Sequence, residues 1–507
     1  MARGRTTEYE RVISDVLAGA VRRPRAQQKR FKDRVRRAAL AAAAALIAAA
    51  AAPAPAAAQL LLRDTEIEQW IDDYSLPLFR AAGLPAEQVN IFLIGDPTPN
   101  AFAGGLNMGI HTGLITLADT PNQVQGVIAH EAGHIAGGHT ARSDEALSAA
   151  SRPMFLSLLL AGAAVAAGAP EAGIGLLGLG QNVALANALQ FSRGQESSAD
   201  QAAITYLDGV GASSRGLIEF FGKLRNFQVI TGRRVNPYLQ THPLANDRMT
   251  ALERRATDSA HYGAEDSPEE IARLRMIQAK IKGFLQEPKS TFREYPNSDQ
   301  SDPGRYARAV AYYRDARIDE GLKEVDALIG KYPDNPYFHE LKGQMLFEFG
   351  RVAASVEPHR KAVTLAPTKA LLRINLGRAL LAAGAPDQLD EAVGAFNGAL
   401  AIEPDNGFAW FELSRVYGAK GDLPMAHLAT AESRYHAGDK VAANQFARRA
   451  MRGLPKGSPQ WRRATDVIVA TQGELPNFGA ADNRRRRDQE TPDRDRGPND
   501  VPDPPFR

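Results

Sequence analysis

Two histidines and a glutamate stand at a spacing that suits metal chemistry. They lie in the segment His130-Glu131-Ala132-Gly133-His134. On a helix, side chains four residues apart project from one face, so both imidazoles can take adjacent corners of a tetrahedral Zn²⁺ site. Glu131 then points towards the water that the metal activates. The alternative is a histidine pair that packs in the core on an amphipathic helix.

The remaining protein ligand must be a histidine or a carboxylate, because the chain has no cysteine. A catalytic zinc site uses three protein ligands and leaves a fourth position for water. One known zinc motif places a third histidine six residues after the second. Here that position is Thr140, and His139 falls one residue short of it. Gly137-Gly138 are also expected to end the helix before either residue. The third ligand is therefore sought farther along the chain.

Glu196 is the better candidate for the third ligand. Glu196 and Asp200 lie four residues apart, which is one helical turn. One carboxylate can therefore bind the metal while the other accepts a hydrogen bond from a ligand imidazole. The alternative is a solvated acidic face of a helix.

Several short motifs are shared with one known family. They are HEAGH followed by His139, the segment Ser192–Asp200, the triplet Thr241-His242-Pro243 followed by Arg248, and the segments Asn100–Ala103 and Thr112–Ile115. On these motifs, residues 60–255 resemble the HtpX/CAAX-prenyl-protease superfamily of zinc metallopeptidases. The resemblance implies a zincin-type α+β domain with a small sheet, and one Zn²⁺ per chain. It makes His130, His134 and Glu196 the metal ligands, with Asp200, Arg248 and His139 around them.

The chemistry of such a site assigns further roles. Glu131 takes a proton from water and passes it to the leaving amine. His242 is expected either to donate a hydrogen bond to the oxyanion or to bind the metal in a resting form, with Arg248 orienting it. The alternative for His242 is a turn residue beside a proline.

A substrate main chain is expected to pair with an exposed strand near residues 101–109. Adding a strand positions a peptide without reading its side chains. The residues predicted to contact this substrate strand are Ala101, Phe102, Ala103, Gly104 and Asn107.

Short elements must hold these residues in place. Hydrophobic patterning predicts a helix near Glu66–Ala82, a strand at Val89–Ile94, a turn-rich segment Gly95–Gly105 and a strand near Leu106–Leu117. The helix that carries HEAGH should begin after Thr120 as N-cap, with Gln123 completing a capping box.

The second half of the chain repeats. Pro333, Pro367 and Pro404 follow paired helical patterns at steps of 34 and 37 residues, and the extra three residues are placed in the loop Ala385–Asp387. A period of 34 is typical of tetratricopeptide repeats, which stack into a curved solenoid. Ordinary paired helices of an α-domain are the alternative. Four units and a terminal helix are expected within residues 303–469.

The predicted fold is therefore mostly α, with a zincin-type domain followed by an α-solenoid. Residues 59–255 form the metalloprotease domain, and 256–302 form a connecting helix and linker. The connecting helix begins with the capping box Ser267-Pro268-Glu269-Glu270, and residues 287–302 are the linker. Residues 470–507, rich in Pro, Asp and Arg, are expected to be a disordered tail.

Residues 1–58 read as a secretory signal peptide. A basic cluster, Arg30–Arg37, precedes an Ala-rich apolar run and a small-residue end, so cleavage is expected near Ala58 and the mature protein should be periplasmic. The alternative is a membrane anchor, although the run is shorter than the roughly 20 apolar residues that a spanning helix needs.

Residues 153–191 contain a single charged residue, Glu171. Buried helices, or a lid that makes peripheral contact with a membrane or an unfolded polypeptide, are favoured over insertion in the bilayer, because Gly and Pro interrupt two short apolar arms.

Charge narrows the function. The formal net charge is +3, but residues 1–58 hold 12 basic and 4 acidic side chains, so the remainder carries −5. Such a chain has no overall electrostatic field to attract nucleic acid, which is excluded as a partner.

The primary hypothesis is an exported zinc endopeptidase acting on misfolded or stalled envelope proteins, because periplasmic members of the family imply outer-membrane protein quality control. The repeats would recruit unfolded or misassembled polypeptides or dock on the outer-membrane β-barrel assembly machinery. The alternative is a repeat-based chaperone or scaffold with a largely latched protease site.

Overall fold

The computed structural model describes residues 61–140, 192–231 and 237–471. The predicted signal peptide, the apolar stretch 153–191 and the tail beyond residue 471 lie outside these ranges. Within them, no helix combines the length and the apolar character needed to cross a membrane.

A four-stranded sheet forms one layer of the first domain. Its strands are β1 (Leu61–Leu62), β2 (Asn90–Ile94), β3 (Ala101–Gly104) and β4 (Asn107–His111), in the order β1-β2-β4-β3. β2 and β4 run parallel, while β1 and β3 pair antiparallel to their neighbours. One sheet face is apolar, with Leu93, Met108 and Ile110 buried in the core. β3 lies at the edge of the sheet.

The predicted strand at Val89–Ile94 is confirmed, but two neighbouring predictions are wrong. The turn-rich segment Gly95–Gly105 contains β3, and the strand near Leu106–Leu117 ends at His111. Residues Thr112–Leu117 instead form the short helix α2. Long-range contacts cause this change, because the Thr112 hydroxyl and the Gly113 N–H both donate to the Asp96 carbonyl, at 3.0 and 2.9 Å.

Helices cover the sheet. They are α1 (Thr65–Ala81), α3 (Pro121–Ala136), α4 (residues 192–209), α5 (Arg215–Thr231), α6 (Pro237–Thr241) and α7 (Asn246–Thr257). The predicted helix near Glu66–Ala82 is confirmed as α1, and α3 carries HEAGH in its C-terminal half. Every residue from Gln123 to His134 is buried, so α3 is the central helix of the domain.

The start of α3 differs from the predicted capping box. Thr120 is the N-cap, but its side chain makes no capping hydrogen bond to the helix. The Gln123 side chain accepts a hydrogen bond not from the N-cap N–H but from the N–H of the preceding residue, Asp119, at 2.9 Å. Asp266, far along the chain, accepts from the Asn122 N–H at 3.0 Å instead. A tertiary contact therefore replaces the local cap.

The connecting helix, α8 (Pro268–Leu285), has the predicted capping box, with Ser267 and Glu270 bonding each other's backbone N–H. The linker prediction for 287–302 is partly wrong, because Pro288–Glu294 forms the helix α9. Phe292 of α9 packs its ring 4.7 Å from that of Tyr312. This aromatic contact with the repeats orders a segment that its polar composition describes as linker.

Ten antiparallel helices form the solenoid. They are α10 (Asp302–Arg314), α11 (Ile318–Lys331), α12 (Pro336–Glu348), α13 (Val352–Leu365), α14 (Ala370–Ala383), α15 (Pro386–Ile402), α16 (Gly407–Ala419), α17 (Leu423–His436), α18 (Lys440–Gly453) and α19 (Pro459–Ala470). The first three pairs each end just before one of the prolines that mark the repeat, Pro333, Pro367 and Pro404. The mostly-α fold, with an α+β domain and a solenoid, is confirmed.

Two details of the repeat prediction are wrong. The extra three residues do not lengthen a loop, because α15 has 17 residues whereas α11, α13 and α17 each have 14. The segment after the fourth pair holds two helices, α18 and α19, rather than one. Ala447, Met451 and Ile468 are buried between them, in a core that also includes Leu428 and Ala431 of α17.

The two domains share buried contacts. The Lys280 ammonium on α8 lies 2.7 Å from Asp64 and 3.1 Å from Glu66 at the start of α1. Tyr306 of α10 donates its hydroxyl hydrogen to Glu66 at 2.6 Å. Because the side chains of Lys280, Glu66 and Tyr306 are all buried, this polar cluster joins the first repeat to the first domain.

Candidate active site

A glycine brings the two helices of the site together. A Cβ atom on Gly133 would lie 3.0 Å from both the Cα and the carbonyl oxygen of Ala199 on α4. Only glycine permits this approach without displacing backbone. His130 and His134 on α3 therefore come within reach of Glu196 on α4.

Four candidate ligand atoms have the separations that a small tetrahedral ion requires. One atom from each of His130, His134, Glu196 and His242 lies within 4.8 Å of all the others. His130 Nε2 is 3.1 Å from His134 Nε2, and each nitrogen is 3.4 Å from a Glu196 oxygen. Ligands placed about 2.1 Å from a tetrahedral ion stand about 3.4 Å apart. The residues therefore fit a zinc-sized ion in both size and donor chemistry.

Asp200 and Arg248 surround the ligand set. His130 Nδ1 lies 3.1 Å from Asp200 Oδ1, so Asp200 orients the ring whose Nε2 faces the cluster. Arg248 donates to Asp200 through Nε at 2.6 Å and Nη2 at 2.8 Å, and its Nη1 lies 2.8 Å from Glu196. The guanidinium thus holds both carboxylates of α4 from one side.

These contacts keep the carboxylates ionised. Burial favours the neutral acid, but Arg248 and His130 outweigh it and lower the pKa of Asp200 below its ordinary value. Burial likewise opposes the charge of Glu196, yet hydrogen bonds from His130 and His242 hold its pKa far below the usual range. Glu196 is therefore available as an anionic ligand.

His242 approaches the cluster from the end of α6. Its Nδ1 lies 3.0 Å from Glu196 Oε1 and 3.4 Å from His130 Nε2. Its ring stacks on Tyr238, with centroids 4.5 Å apart and an angle of 28° between the planes. Arg248 donates to the carbonyl of Pro243 at 3.1 Å, so it contacts the neighbouring backbone rather than the His242 ring among the described residues.

The Glu131 carboxylate is fully buried beside this cluster. Neither of its oxygens has a hydrogen-bond partner among the described residues. His242 Nε2 lies 3.5 Å from Oε1, close to hydrogen-bond range. A buried carboxylate without donors is costly in a folded protein, and such groups concentrate at sites where a reactant supplies the missing partner.

His139 lies behind the ligands. Its Nδ1 is 2.9 Å from His134 Nδ1, so one ring donates and the other accepts. The Gln195 amide of α4 donates to the His139 carbonyl at 2.9 Å. His139 therefore fixes the orientation of the His134 ring, as residues that hydrogen-bond to a metal-binding imidazole do.

The strand beside the site is β3. The His111 N–H donates to the Asn100 carbonyl at 3.0 Å, and Ala101 and Ala103 face Ile110 and Met108. Hydrogen-bonded and non-bonded pairs alternate in antiparallel sheets, so the N–H and C=O groups of Ala101 and Ala103 point away from β4. The Thr140 hydroxyl, which donates to the Ala103 carbonyl at 3.2 Å, occupies part of this edge.

The predicted substrate-contact residues divide between two strands. Ala101, Phe102, Ala103 and Gly104 form the edge strand, and the Phe102 side chain is exposed. Asn107 belongs to β4, inside the edge, where it accepts a hydrogen bond from Asn90 of β2 at 3.2 Å. Asn107 is thus placed to support the hairpin rather than to face the edge.

Two aromatic residues complete the site but are absent from the sequence-based set. Phe221 of α5 packs against the His130 ring with centroids 5.7 Å apart and lies under the Arg248 guanidinium at 5.3 Å. Tyr238 stacks on His242. The helical spacing of four residues between Tyr238 and His242 was a usable signal, whereas nothing local points to Phe221.

Together, a helix with two histidines, a glutamate from a second helix and an adjacent edge strand define a metallopeptidase domain. Residues 62–256 match Peptidase family M48. The predicted resemblance to metallopeptidases is thereby confirmed for this domain.

Relatives extend the similarity beyond this domain. The beta-barrel assembly-enhancing protease of Escherichia coli strain K12 is 25% identical over 408 residues, which cover 80% of this chain and 82% of that protein. A relative from Vibrio cholerae serotype O1 is 27% identical over 291 residues, or 55% of this chain and 58% of its own length. The match to the metalloprotease YcaL of Escherichia coli covers 32% of this chain at 27% identity.

Among solved structures, YrrB, a TPR protein with an unusual peptide-binding site, is similar over 34% of this chain and 90% of its own. The TM-score is 0.29 and the sequence identity is 17%.

Proposed function

We propose that this chain is an exported zinc endopeptidase that hydrolyses misfolded or stalled envelope proteins. The observation that carries the proposal is the buried cluster of His130, His134, Glu196 and His242, next to the unpartnered carboxylate of Glu131. The family of the domain supports peptide-bond hydrolysis as the reaction.

Zinc is the proposed ion. Two imidazoles and one carboxylate are a common ligand set of catalytic zinc, and no sulfur ligand is available in a chain without cysteine. Bound there by His130, His134 and Glu196, zinc would polarise the scissile carbonyl and lower the pKa of water.

Glu131 is the proposed general base and acid. Its oxygens lie in the cluster and have no competing donors among the described residues. The carboxylate takes a proton from the attacking water and delivers it to the nitrogen of the departing amine. Asp200 and Arg248 hold His130 and Glu196 in place during these transfers.

The substrate main chain is proposed to pair with β3. The N–H and C=O groups of Ala101 and Ala103 face outwards, and a peptide that binds them lies beside α3 without a side-chain requirement. To pair with Ala103, the peptide must displace the Thr140 hydroxyl from its carbonyl.

His242 is proposed to be a resting-state ligand. Its Nδ1 lies 3.0 Å from Glu196 Oε1 and 3.4 Å from His130 Nε2, which are separations expected between two ligands of one ion. These distances support a ligand role over that of an oxyanion donor. We expect His242→Ala to raise the rate of casein cleavage by at least about fivefold, because it frees the position that substrate needs. Initial rates at saturating zinc measure the change. His261→Ala, a substitution of an exposed histidine, should leave the rate unaltered, and a slower His242→Ala enzyme would instead identify an oxyanion donor.

The proposed setting is the periplasm, in outer-membrane protein quality control and assembly. The name of the Escherichia coli relative supports this setting, as does the predicted signal peptide. The solenoid is proposed to recruit unfolded or misassembled polypeptides, or to dock on the β-barrel assembly machinery. A chaperone or scaffold is the second candidate, favoured by the position of His242 over the ligand cluster.

The test uses the full mature chain loaded with zinc. We expect casein cleavage that falls to background with 1,10-phenanthroline and returns when Zn²⁺, but not Mg²⁺, is restored. Cleavage that persists after verified removal of metal would contradict the proposal. Absence of cleavage by both wild type and His242→Ala, together with suppression of client aggregation, would favour the scaffold.

A further inference from the structure

A cavity of about 400 Å³ lies between the peptidase domain and the repeats. Residues at the start of α1 form one wall, α8 forms a second, and the first helices of two successive repeats, α12 and α14, form the third. The floor and sides are largely apolar, with Ile67, Ile281, Phe284, Leu341 and Leu371 among the lining residues. The cavity is therefore separate from the ligand cluster and suits an apolar side chain.

Most charged groups of the cavity are already satisfied. Lys280 pairs with Asp64, and Glu340 accepts a hydrogen bond from the Asn375 amide at 3.1 Å. Glu348 accepts from the Gln344 amide at 3.2 Å and from the Tyr313 hydroxyl. These carboxylates have donors within the protein, so they do not require a cationic ligand.

Arg378 is different. Its guanidinium forms neither a hydrogen bond nor an ion pair with any residue in the described ranges. Instead, its Cζ lies 5.2 Å from the Phe347 ring centroid and 5.8 Å from that of Phe408, on the helices that flank α14. The two rings hold the guanidinium in position while leaving its N–H donors for another group.

One lining residue of the cavity forms an ion pair with the repeats. Arg63, a lining residue from the peptidase domain, lies 2.8 Å from Glu403 at the end of α15. This bridge joins residues 340 positions apart in sequence. The bridge thus links the two domains beside the cavity, and the unpaired guanidinium of Arg378 next to an apolar space suits a carboxylate attached to an apolar residue, as at the end of a chain.

We propose that this cavity binds the carboxyl terminus of a polypeptide whose last residue is apolar. Arg378 donates two hydrogen bonds to the terminal carboxylate, and the last side chain occupies the apolar space lined by Leu341 and Ile281. The inference rests on the proposed function, since it names the class of polypeptide that the repeats recruit. It concerns binding rather than hydrolysis.

The test measures binding by the zinc-loaded full chain carrying Glu131→Gln, so that cleavage does not interfere. The probe is a fluorescein-labelled decapeptide ending in Leu-Phe, with either a free carboxylate or a terminal amide. We expect the free acid to bind at least about tenfold more tightly than the amide, because the contact with Arg378 is a charge-assisted hydrogen bond. Adding Arg378→Gln should remove this difference, whereas Arg378→Lys should retain part of it.

Lys361→Gln, which removes an exposed charge on α13, is the matched control and should leave both affinities unaltered. Unfolding temperatures and far-ultraviolet circular dichroism establish that each variant is folded. Equal binding of acid and amide, or an Arg378→Gln variant that still discriminates between them, would overturn the proposal. So would equally tight binding of an amidated peptide with an internal Glu, which would make an acidic side chain the ligand. Each of these results leaves casein cleavage by the wild type, and hence the proposed function, unaffected.

Discussion

Glu131→Gln should lower the rate of casein cleavage by at least about a thousandfold, within the range that a positioned acid and base contributes. The amide has nearly the shape of the carboxylate but cannot accept the proton of the attacking water. Because Glu131 is not one of the four residues in the candidate ligand set, the zinc content should stay near one ion per chain. Single-turnover rates and metal analysis on the same preparation check both statements.

The matched control for this substitution is Glu253→Gln, an exposed position on α7 that removes the same charge far from the cluster. It should retain wild-type cleavage. A Glu131→Gln enzyme with more than one tenth of the wild-type rate would show that another group moves the proton. Lost activity accompanied by lost zinc would show that Glu131 acts by supporting the metal site.

Glu196→Gln should weaken zinc binding by more than about a hundredfold, beyond the effect typical of residues that only support a ligand. The substitution removes the anion of the ligand set and also leaves Arg248 with one carboxylate instead of two. Competition with a chelator of known affinity measures the loss, and cleavage should disappear at limiting zinc.

Asp200→Asn supplies the comparison for Glu196→Gln. It alters the neighbour of His130 without removing a ligand, so zinc affinity should fall by only about 10- to 100-fold. If Asp200→Asn lost more zinc affinity than Glu196→Gln, Asp200 would be the metal ligand and Glu196 the supporting residue.

The four residues of the ligand cluster all follow from the sequence. The HEAGH spacing names His130 and His134, a pair of carboxylates one turn apart makes Glu196 the better candidate, and the family resemblance singles out Glu196 and His242. The structure brings these four side chains together. Metal binding tolerates few residue types and spacings, so such a site can be recognised from the sequence.

Aromatic support and edge geometry were harder to predict. Phe221 reaches His130 only because α5 packs closely on α3, where a Cβ on Gly126 would lie 2.8 Å from the Leu217 backbone. β3 has only four residues, all alanine, phenylalanine or glycine, and such a segment resembles a turn until its partner strand is known. Both features depend on contacts between elements rather than on local pattern.

The repeat array was predictable for the opposite reason. Its helices meet their neighbours in sequence, so the period, the prolines and the small residues carry most of the information. What the period could not give was α9, since that helix is ordered by Phe292 against Tyr312 of the following helix. The polar residues of this segment are compatible with the exposed face of a helix as well as with a linker.

The Lys280 cluster limits how such a chain can be rearranged in evolution. Lys280, Glu66 and Tyr306 belong to the connecting helix, the peptidase domain and the first repeat, and Glu66 would lose the buried hydroxyl of Tyr306 if the array were exchanged for another. A recombined gene would therefore have to inherit the tyrosine and the glutamate as a pair. Diversity among related proteins should accumulate towards the far end of the solenoid, where α17, α18 and α19 pack around a core separate from that of the preceding repeats.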